Sequence, residues 1–394
     1  MDDTLLTPRG LERRIKKKLL ARKQTFAVIT VPGFEKVTEK ELHKIADGAT
    51  ITCDRGILEF DGPFDLLYRL NLQLRTAGRV LLRVASFRAR SYPELYNKLQ
   101  RIHWELHTGF HPEISFVVSS RSSRLHHTGK IAETAFDAIN AVMTRLGLPK
   151  QSVAGSPVAV HLRFIDDCCS ISMDTTGALL YKRGYRTATG IAPLRETTAA
   201  AMLLAARWDR YPVIADPCCG SGSIIIEAVH IASGKPPGDR RKFAFFSWPS
   251  FQPQRLNYWR KKAAAEPVPR RFAAGDVDPQ ALRALRINCK TLNASSRIEI
   301  FQRDCREFNS DGTMGSRGLL LSNLPFGKRV GVAGGTEVFF REFGNALKKN
   351  CTGWSFGFLV ADPLFGKHSG LECTAELEFS NGGIGVRFVT GHIT

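Results

Sequence analysis

No two cysteines in this chain stand as Cys-x-x-Cys, so zinc-site and dithiol spacing are missing. The nine cysteines are an odd number, set as Cys168–Cys169, Cys218–Cys219 and five singles. That pattern argues against a secreted disulfide framework, and the expectation is reduced, cytoplasmic thiols and no bound metal. No apolar run approaches the roughly 18 residues that cross a bilayer, so no membrane partner is expected. The first residues, MDDTLLTPRGLERRIKKKLLARK, lack the apolar core of a secretory signal, and Asp2 and Asp3 argue against an organelle transit peptide. Internal repeats and low-complexity tracts are missing too. Negative charge is scarce: 37 Asp and Glu stand against 56 Lys and Arg, a net charge of +19 and a pI near 9.8. Such an excess is the footprint of a polyanion binder, most often nucleic acid.

What is present is ordinary for a globular protein: 43% apolar and 24% charged residues over 394 positions, enough for two or three domains. Residues 1–24 hold eight Lys or Arg against three acids and read as a short basic helix or a loose arm, suited either to phosphate contact or to solvent. From Phe26, strand patterns such as FAVITV, RVLLRVASFRA and ISFVVSSR mix with helical ones. The longest helical pattern repeats its apolar residues at Ile131, Ala135, Ile139 and Val142, one face of a helix. Two strands flank a turn at Asp166–Asp167, completing an α+β half. After Tyr181 strands and helices alternate, which predicts a parallel sheet covered on both faces. Two last strands around Asn381-Gly382-Gly383 predict a closing hairpin.

Four motifs fall at successive strand ends of this second half. Asp216-Pro217-Cys218-Cys219-Gly220-Ser221-Gly222-Ser223 joins a strand to a helix. It is neither a Walker loop nor Gly-x-Gly-x-x-Gly; its glycines let a ligand approach the backbone, and Asp216 suits an ammonium group where a pyrophosphate would be repelled. In Asp276-Val277-Asp278 one carboxylate can accept both ribose hydroxyls; Asp276 sits at the expected strand end, and Asp278 can cap the next helix ahead of Pro279. Asp304 can accept from an adenine amine. In Ser322-Asn323-Leu324-Pro325-Phe326-Gly327 the Asn323 side-chain oxygen and the Leu324 carbonyl can both accept from one substrate NH2, and Phe326 can stack on a base.

In this order the motifs resemble those of class I S-adenosylmethionine methyltransferases. The fourth is similar to the Asn/Asp-Pro-Pro-Tyr/Phe motif of amino-directed enzymes, with Leu324 in place of the first proline. Gly184-Tyr185-Arg186, Ala192-Pro193-Leu194-Arg195-Glu196-Thr197, Ala199–Ala201 and Trp208 resemble the segment before the catalytic core of THUMP-domain RNA methyltransferases. Phe243-Ala244-Phe245, Trp248-Pro249 and Phe251 are similar to that family's insert, and the terminal hairpin to its own. NLQLRTAGRVLLRVASFRA and SYPELYNKLQRIHW resemble the first half of the RlmL-type 23S rRNA guanine-N2 methyltransferases.

The resemblance covers about residues 25–394. It implies a Rossmann-like α/β methyltransferase with a mostly parallel seven-stranded sheet over 177–394, preceded by a ferredoxin-like region at 25–80, a THUMP region at 81–176 and a basic arm at 1–24. The longer fusions of that family carry a second methyltransferase domain, and this chain ends before one could fit. The cofactor implied is S-adenosylmethionine, held by Asp216, Gly220, Ser221, Gly222, Asp276, Asp304 and Asn323, with Arg195 and Glu196 nearby. The reaction implied is methylation of a guanine N2 amine, with Asn323, Leu324, Pro325 and Phe326 as the catalytic loop. RNA contact falls to Lys328 and Arg329, the basic first half, and the insert 239–271 with Arg240, Arg241 and Lys242. The insert's aromatics suit either RNA stacking or packing on the methyltransferase core. The RNA expected is rRNA, with tRNA as the alternative. Adenine-N6 and protein-glutamine transfer use a similar fourth motif, and a noncatalytic RNA-binding assembly factor is the reading from another class.

Overall fold

A computed structural model describes residues 5–110, 113–153, 158–188, 194–292, 297–310, 314–325, 335–381 and 383–394. The first half opens on α1 (Pro8–Ile15), capped by the Thr7 hydroxyl and continued by a π-helical turn over Lys16–Leu20. Leu11, Ile15 and Leu19 fall on one face and are buried in the core of this half, and Arg14 pairs with the buried Glu105 at 2.9 Å. The basic segment is therefore a docked helix rather than a loose arm, because its apolar stripe removes more surface from water than a free arm would.

The strands and helices that follow are β1 (Gln24–Thr30), α2 (Glu35–Ile45), β2 (Thr52–Asp54), β3 (Ile57–Gly62), α3 (Leu66–Gln73), β4 (Ala77–Arg88), α4 (Tyr92–Leu99), α5 (Glu105–Thr108), β5 (Glu113–Arg121), α6 (Thr128–Arg145), β6 (Ser152–Val153), β7 (Ala159–Ile165) and β8 (Cys168–Asp174). Among the described residues they build an eight-stranded sheet in the order β2-β3-β1-β4-β8-β7-β5-β6. β4 lies at its centre, pairing antiparallel with β1 through Thr25↔Arg83 and with β8 through Leu81↔Asp174 to Arg88↔Cys168. The boundary expected at 80/81 thus cuts through a strand, and the regions on either side share one sheet. Asp166 and Asp167, both at positive φ (49° and 64°), make the turn between β7 and β8.

The second half comprises α7 (Glu196–Ala205), β9 (Val213–Asp216), α8 (Ser223–Ala232), α9 (Pro253–Ala263), β10 (Arg271–Asp276), α10 (Pro279–Thr291), β11 (Ile298–Gln302), β12 (Leu319–Asn323), α11 (Thr336–Asn350), β13 (Ser355–Val360), α12 (Phe365–Ser369), β14 (Cys373–Asn381) and β15 (Ile384–His392). Its seven-stranded sheet runs β11-β10-β9-β12-β13-β15-β14, parallel except where β15 pairs antiparallel with β13 and β14. The chain moves outward from β9 through β10 and β11, then returns to the other side of β9 with β12. The crevice at that reversal is where open α/β sheets take ligands, outside the carboxyl ends of the strands. No helix among the described residues is long and apolar enough to cross a membrane.

The insert between β9 and β10 joins the halves, and here one expectation needs correcting. Phe243, Phe245, Trp248 and Leu256 are buried in the core of the first half, not against the sheet of the second. Tyr68 meets Phe245 at 5.3 Å between ring centres, His107 meets Trp248 at 5.0 Å, and Arg255 pairs with Asp65 at 2.7 Å. Each buried ring of this size contributes roughly 1.5–3 kcal/mol by leaving water, so the insert is a structural bond between the two halves.

Candidate active site

The Asp216 loop turns sharply from β9 into α8, and its two glycines serve different ends. Gly222 has φ 88°, and a Cβ there would fall 2.2 Å from the Leu285 side chain, so glycine lets α8 pack on α10. Gly220 has φ 52°, and a Cβ would meet nothing within 4 Å, so this is the loop's open side. Ser221, expected to hold the cofactor, is buried, and its carbonyl accepts from Asn288 Nδ2 at 3.3 Å. Its position is therefore set by α10.

Asp216 closes the floor of the crevice. It is 2% exposed, and its Oδ1 accepts from the Ser322 hydroxyl and from the Cys218 N–H at 3.3 Å. Burial pushes its carboxyl up to about 7; the two hydrogen bonds oppose the shift and neighbouring Asp276 adds to it. A cation entering the crevice would reverse that shift. Asp276 ends β10, its Oδ2 accepting from Gly220 N at 2.7 Å and its Oδ1 from Asp278 N at 3.0 Å. Asp278 caps α10 through Gln280 N at 2.8 Å. The two acids therefore divide as their spacing suggested: Asp276 faces the loop, Asp278 serves the helix.

The structure departs from expectation at three site residues. The Asp304 carboxylate is held on both oxygens by Arg306, at 3.0 Å from Nε and 2.7 Å from Nη2, and that guanidinium holds it below the usual carboxylate range. An acceptor expected to await an adenine amine is instead an ion pair. Glu196 is buried and pairs with Arg186 at 3.1 Å; Arg195 is exposed and lies over the Tyr181 ring at 5.2 Å. Arg186 is the residue that reaches the site, donating to Ser223 Oγ at 2.7 Å and to the Leu194 carbonyl at 2.8 Å. Glu196 thus supports that strut, while Arg195 stacks on Tyr181 outside it.

The segment from Asn323 leaves the end of β12, one strand from Asp216. Asn323 Oδ1 is buried and has no hydrogen-bond partner among the described residues, an arrangement that disfavours folding unless a ligand completes it. Leu324 answers the question posed by its replacement of proline. Its N–H donates to Leu359 O at 3.1 Å, which proline could not do, and its side chain is buried among the aromatics under β12 and β13. Hydrogen bond and packing hold the loop where a ring would otherwise fix it. Pro325 is half-buried. Phe326, Lys328 and Arg329 lie outside the described residues.

Of the insert residues expected on RNA, Arg241 turns inward. It is 7% exposed and donates to the carbonyls of Ala178, Leu179, Leu180 and Lys182, and burial lowers its guanidinium to about 10. It pins the segment between the halves because four adjacent carbonyls match its fork of donors. Arg240 and Lys242 are exposed, Arg240 donating to Thr291 O at 2.7 Å.

Sequence reasoning missed two supports. Ser322 stands beside the recognised Asn323 and holds Asp216; the adjacency was visible, the direction was not. Asn288, on α10, accepts from Thr187 and Ala188 N–H at 3.0 Å each while bonding the Ser221 carbonyl, and nothing in its helical surroundings marked it.

The crevice fits S-adenosylmethionine: an open glycine face at Gly220, a buried carboxyl at Asp216 for an ammonium, Asp276 beside them and an unpartnered amide oxygen at Asn323. Residues 183–389 match the RMKL-like methyltransferase domain, and residues 25–81 match the RlmL ferredoxin-like domain. The ribosomal RNA large subunit methyltransferase K/L of Pseudomonas paraeruginosa is 30% identical over 359 residues, 86% of this chain and 48% of that protein. The chain thus spans about half the length of the curated K/L relatives it matches. YpsC of Bacillus subtilis, provisionally named an RNA methyltransferase, is 29% identical over 92% of this chain and 94% of its own. The crystal structure of SMU.472, a provisionally named methyltransferase complexed with SAH, superposes with a TM-score of 0.86 at 26% identity, over 95% of this chain and 99% of that one.

Proposed function

Because the chain belongs to the RMKL-like methyltransferase family, with S-adenosylmethionine as cofactor, we propose that it methylates the exocyclic N2 amine of a guanine in RNA, and specifically in large-subunit rRNA. The observation that carries the reading is the buried, unpartnered Asn323 Oδ1 at the head of the crevice. It is an acceptor that lacks a donor among the described residues, and an amine supplies one. The rRNA substrate is supported by the names of the K/L relatives, the RlmL ferredoxin-like match over 25–81 and the net charge of +19. Residues 81–176 take the THUMP, RNA-binding role in this reading.

When bound, S-adenosylmethionine supplies an electrophilic methyl group on sulfur. The protein's part is positioning. Asp216 binds the ammonium of the methionine moiety, the open face of Gly220 admits the cofactor, and Asp276 receives the ribose. A guanine amine is a poor nucleophile because its lone pair is delocalised into the ring. Asn323 Oδ1 and the Leu324 carbonyl each accept a hydrogen bond from one of its N–H groups, which localises the lone pair and turns it toward the methyl donor. Phe326 stacks on the base. A paired guanine must first leave its helix, at a cost of a few kcal/mol.

The test is methyl transfer from labelled S-adenosylmethionine to size-fractionated, unmodified cellular RNA, with nucleoside analysis. N2-methylguanosine in the large-subunit rRNA fraction is the expected result. The same nucleoside in tRNA would move the substrate, N6-methyladenosine would overturn the base assignment, and cofactor binding without transfer would favour the noncatalytic reading.

A further inference from the structure

A groove of about 470 Å³ opens in the first half, away from the Asp216 crevice, between the N-terminal helical segment, β4 and the α4–α5 region. Its walls are rich in cations. Arg83 is paired with Glu59, Lys98 with Glu94 at 2.6 Å and His103 with Glu105 at 3.2 Å. Lys18, Arg22 and Arg101 also line it and pair with no carboxylate among the described residues. Three uncompensated positive charges around one concavity raise the local concentration of anions.

The groove is also built, not merely charged. Gln24 donates from Nε2 to the carbonyls of Lys18, Leu19 and Arg22, at 3.1, 3.0 and 3.1 Å, and so fixes the end of the π turn that carries Lys18 and the short segment after it that carries Arg22. Phe87 presents a half-buried ring on the β4 wall, with Lys98 Nζ 5.6 Å from its centre. His107 lines the floor, is 3% exposed and keeps an Nδ1 with no partner among the described residues. Its ring meets Trp248 of the insert, so the floor of the groove rests on the element that joins the halves. Cations, an aromatic face and an unpartnered buried nitrogen in one cavity of nucleotide size are the elements of a single-strand platform.

We propose that this groove seats a single-stranded segment of the RNA, phosphates on Lys18, Arg22 and Arg101 and a base on Phe87. The Lys18–Arg22 wall lies ahead of the first matched family region, which begins at residue 25. The inference rests on the reading of the chain as an RNA methyltransferase and says where that RNA is held outside the reaction site.

The test compares the full chain with a Lys18→Gln, Arg22→Gln, Arg101→Gln variant and a Phe87→Ala variant. Binding of a fluorescent oligoribonucleotide and of a blunt RNA duplex is measured by anisotropy across a salt series, and S-adenosylmethionine affinity by calorimetry. The triple variant is expected to bind the single strand at least about tenfold more weakly, with a log–log salt slope shallower by about 2. Phe87→Ala is expected to lose about tenfold on the single strand and little on the duplex. Cofactor affinity stays at the wild-type value in both, which excludes unfolding as the cause. Wild-type affinity and slope in the triple variant, beside an active parent enzyme, would overturn the groove alone. Loss of binding to anionic vesicles with RNA binding intact would also overturn it, in favour of a lipid headgroup. A parent chain that binds cofactor but no RNA would overturn the functional reading and the groove together.

Discussion

The groove of the first half and the crevice of the second treat charge in opposite ways. The groove leaves Lys18, Arg22 and Arg101 without acids among the described residues and keeps them near water. The crevice sets two carboxylates, the buried Asp216 and the half-buried Asp276, in contact with one loop of a chain whose net charge is +19. Between them lies the insert, equally basic in sequence, where Arg241 is consumed by four backbone carbonyls. Positive charge in this protein is thus a recognition device in one place and a structural clamp in another. What decides is whether the backbone offers the guanidinium carbonyls or leaves it facing solvent.

The strongest way to break the comparison is to separate the two regions. Trp248→Ala removes a buried ring from the joint and is expected to cost about 3–5 kcal/mol; urea unfolding checks this, and a cost below about 1 kcal/mol would mean that the insert does not bind the halves together. Next comes Asn323→Ala, which acts on the crevice alone. It is expected to lower kcat about 10²–10³-fold while leaving S-adenosylmethionine affinity within about twofold, and full retained activity would remove Asn323 from the site.

A third experiment sharpens the electrostatic half of the contrast. Asp216 has its carboxyl near 7 in the folded chain against an ordinary value of 3.8. The folded state therefore binds more protons than the unfolded one between those values, and stability from this group falls as pH rises through that window. From pH 5 to pH 8 the loss is roughly 2–3 kcal/mol. His107, His161 and His230, each lowered to about 4 by burial, act in the opposite sense, gaining stability as pH rises toward their unfolded value. The difference between wild type and Asp216→Asn isolates the carboxyl: the variant, unfolded in urea at both pH values without cofactor, should lose less stability. Wild-type affinity for S-adenosylmethionine should rise as pH passes 7, and that rise should vanish in the variant. The smallest effect is expected from Arg240→Ala with Lys242→Ala, both exposed: stability within about 0.5 kcal/mol by urea unfolding, against a cost of about 2–4 kcal/mol for Arg241→Ala, which strands buried carbonyls.

Much of this was legible in the residues. Alternating strand and helix patterns gave the parallel sheet, the Asp166–Asp167 pair gave its turn, and the four motifs fell at strand ends because a doubly wound sheet gathers those ends on one edge. Direction was less legible. Arg240, Arg241 and Lys242 are neighbours in a basic run, and nothing local says that the middle one turns inward. Asp304 lost its expected role to Arg306, two residues on, a short-range pairing hidden in an ordinary loop. Phe245 and Trp248 pack on Tyr68 and His107, partners more than a hundred residues away, which periodicity does not report.

The sharing of β4 between two regions also sets a schedule for synthesis. Its first edge pairs with β1, already made, but its second edge waits for β8, whose first paired residue, Cys168, follows Arg88 by 80 positions. At 5–20 residues per second that wait lasts roughly 4–16 s. Through it the nascent sheet carries an open, apolar edge of the kind that recruits stray strands. The growing chain is therefore most vulnerable to aggregation long before the first residue of the methyltransferase sheet has been made.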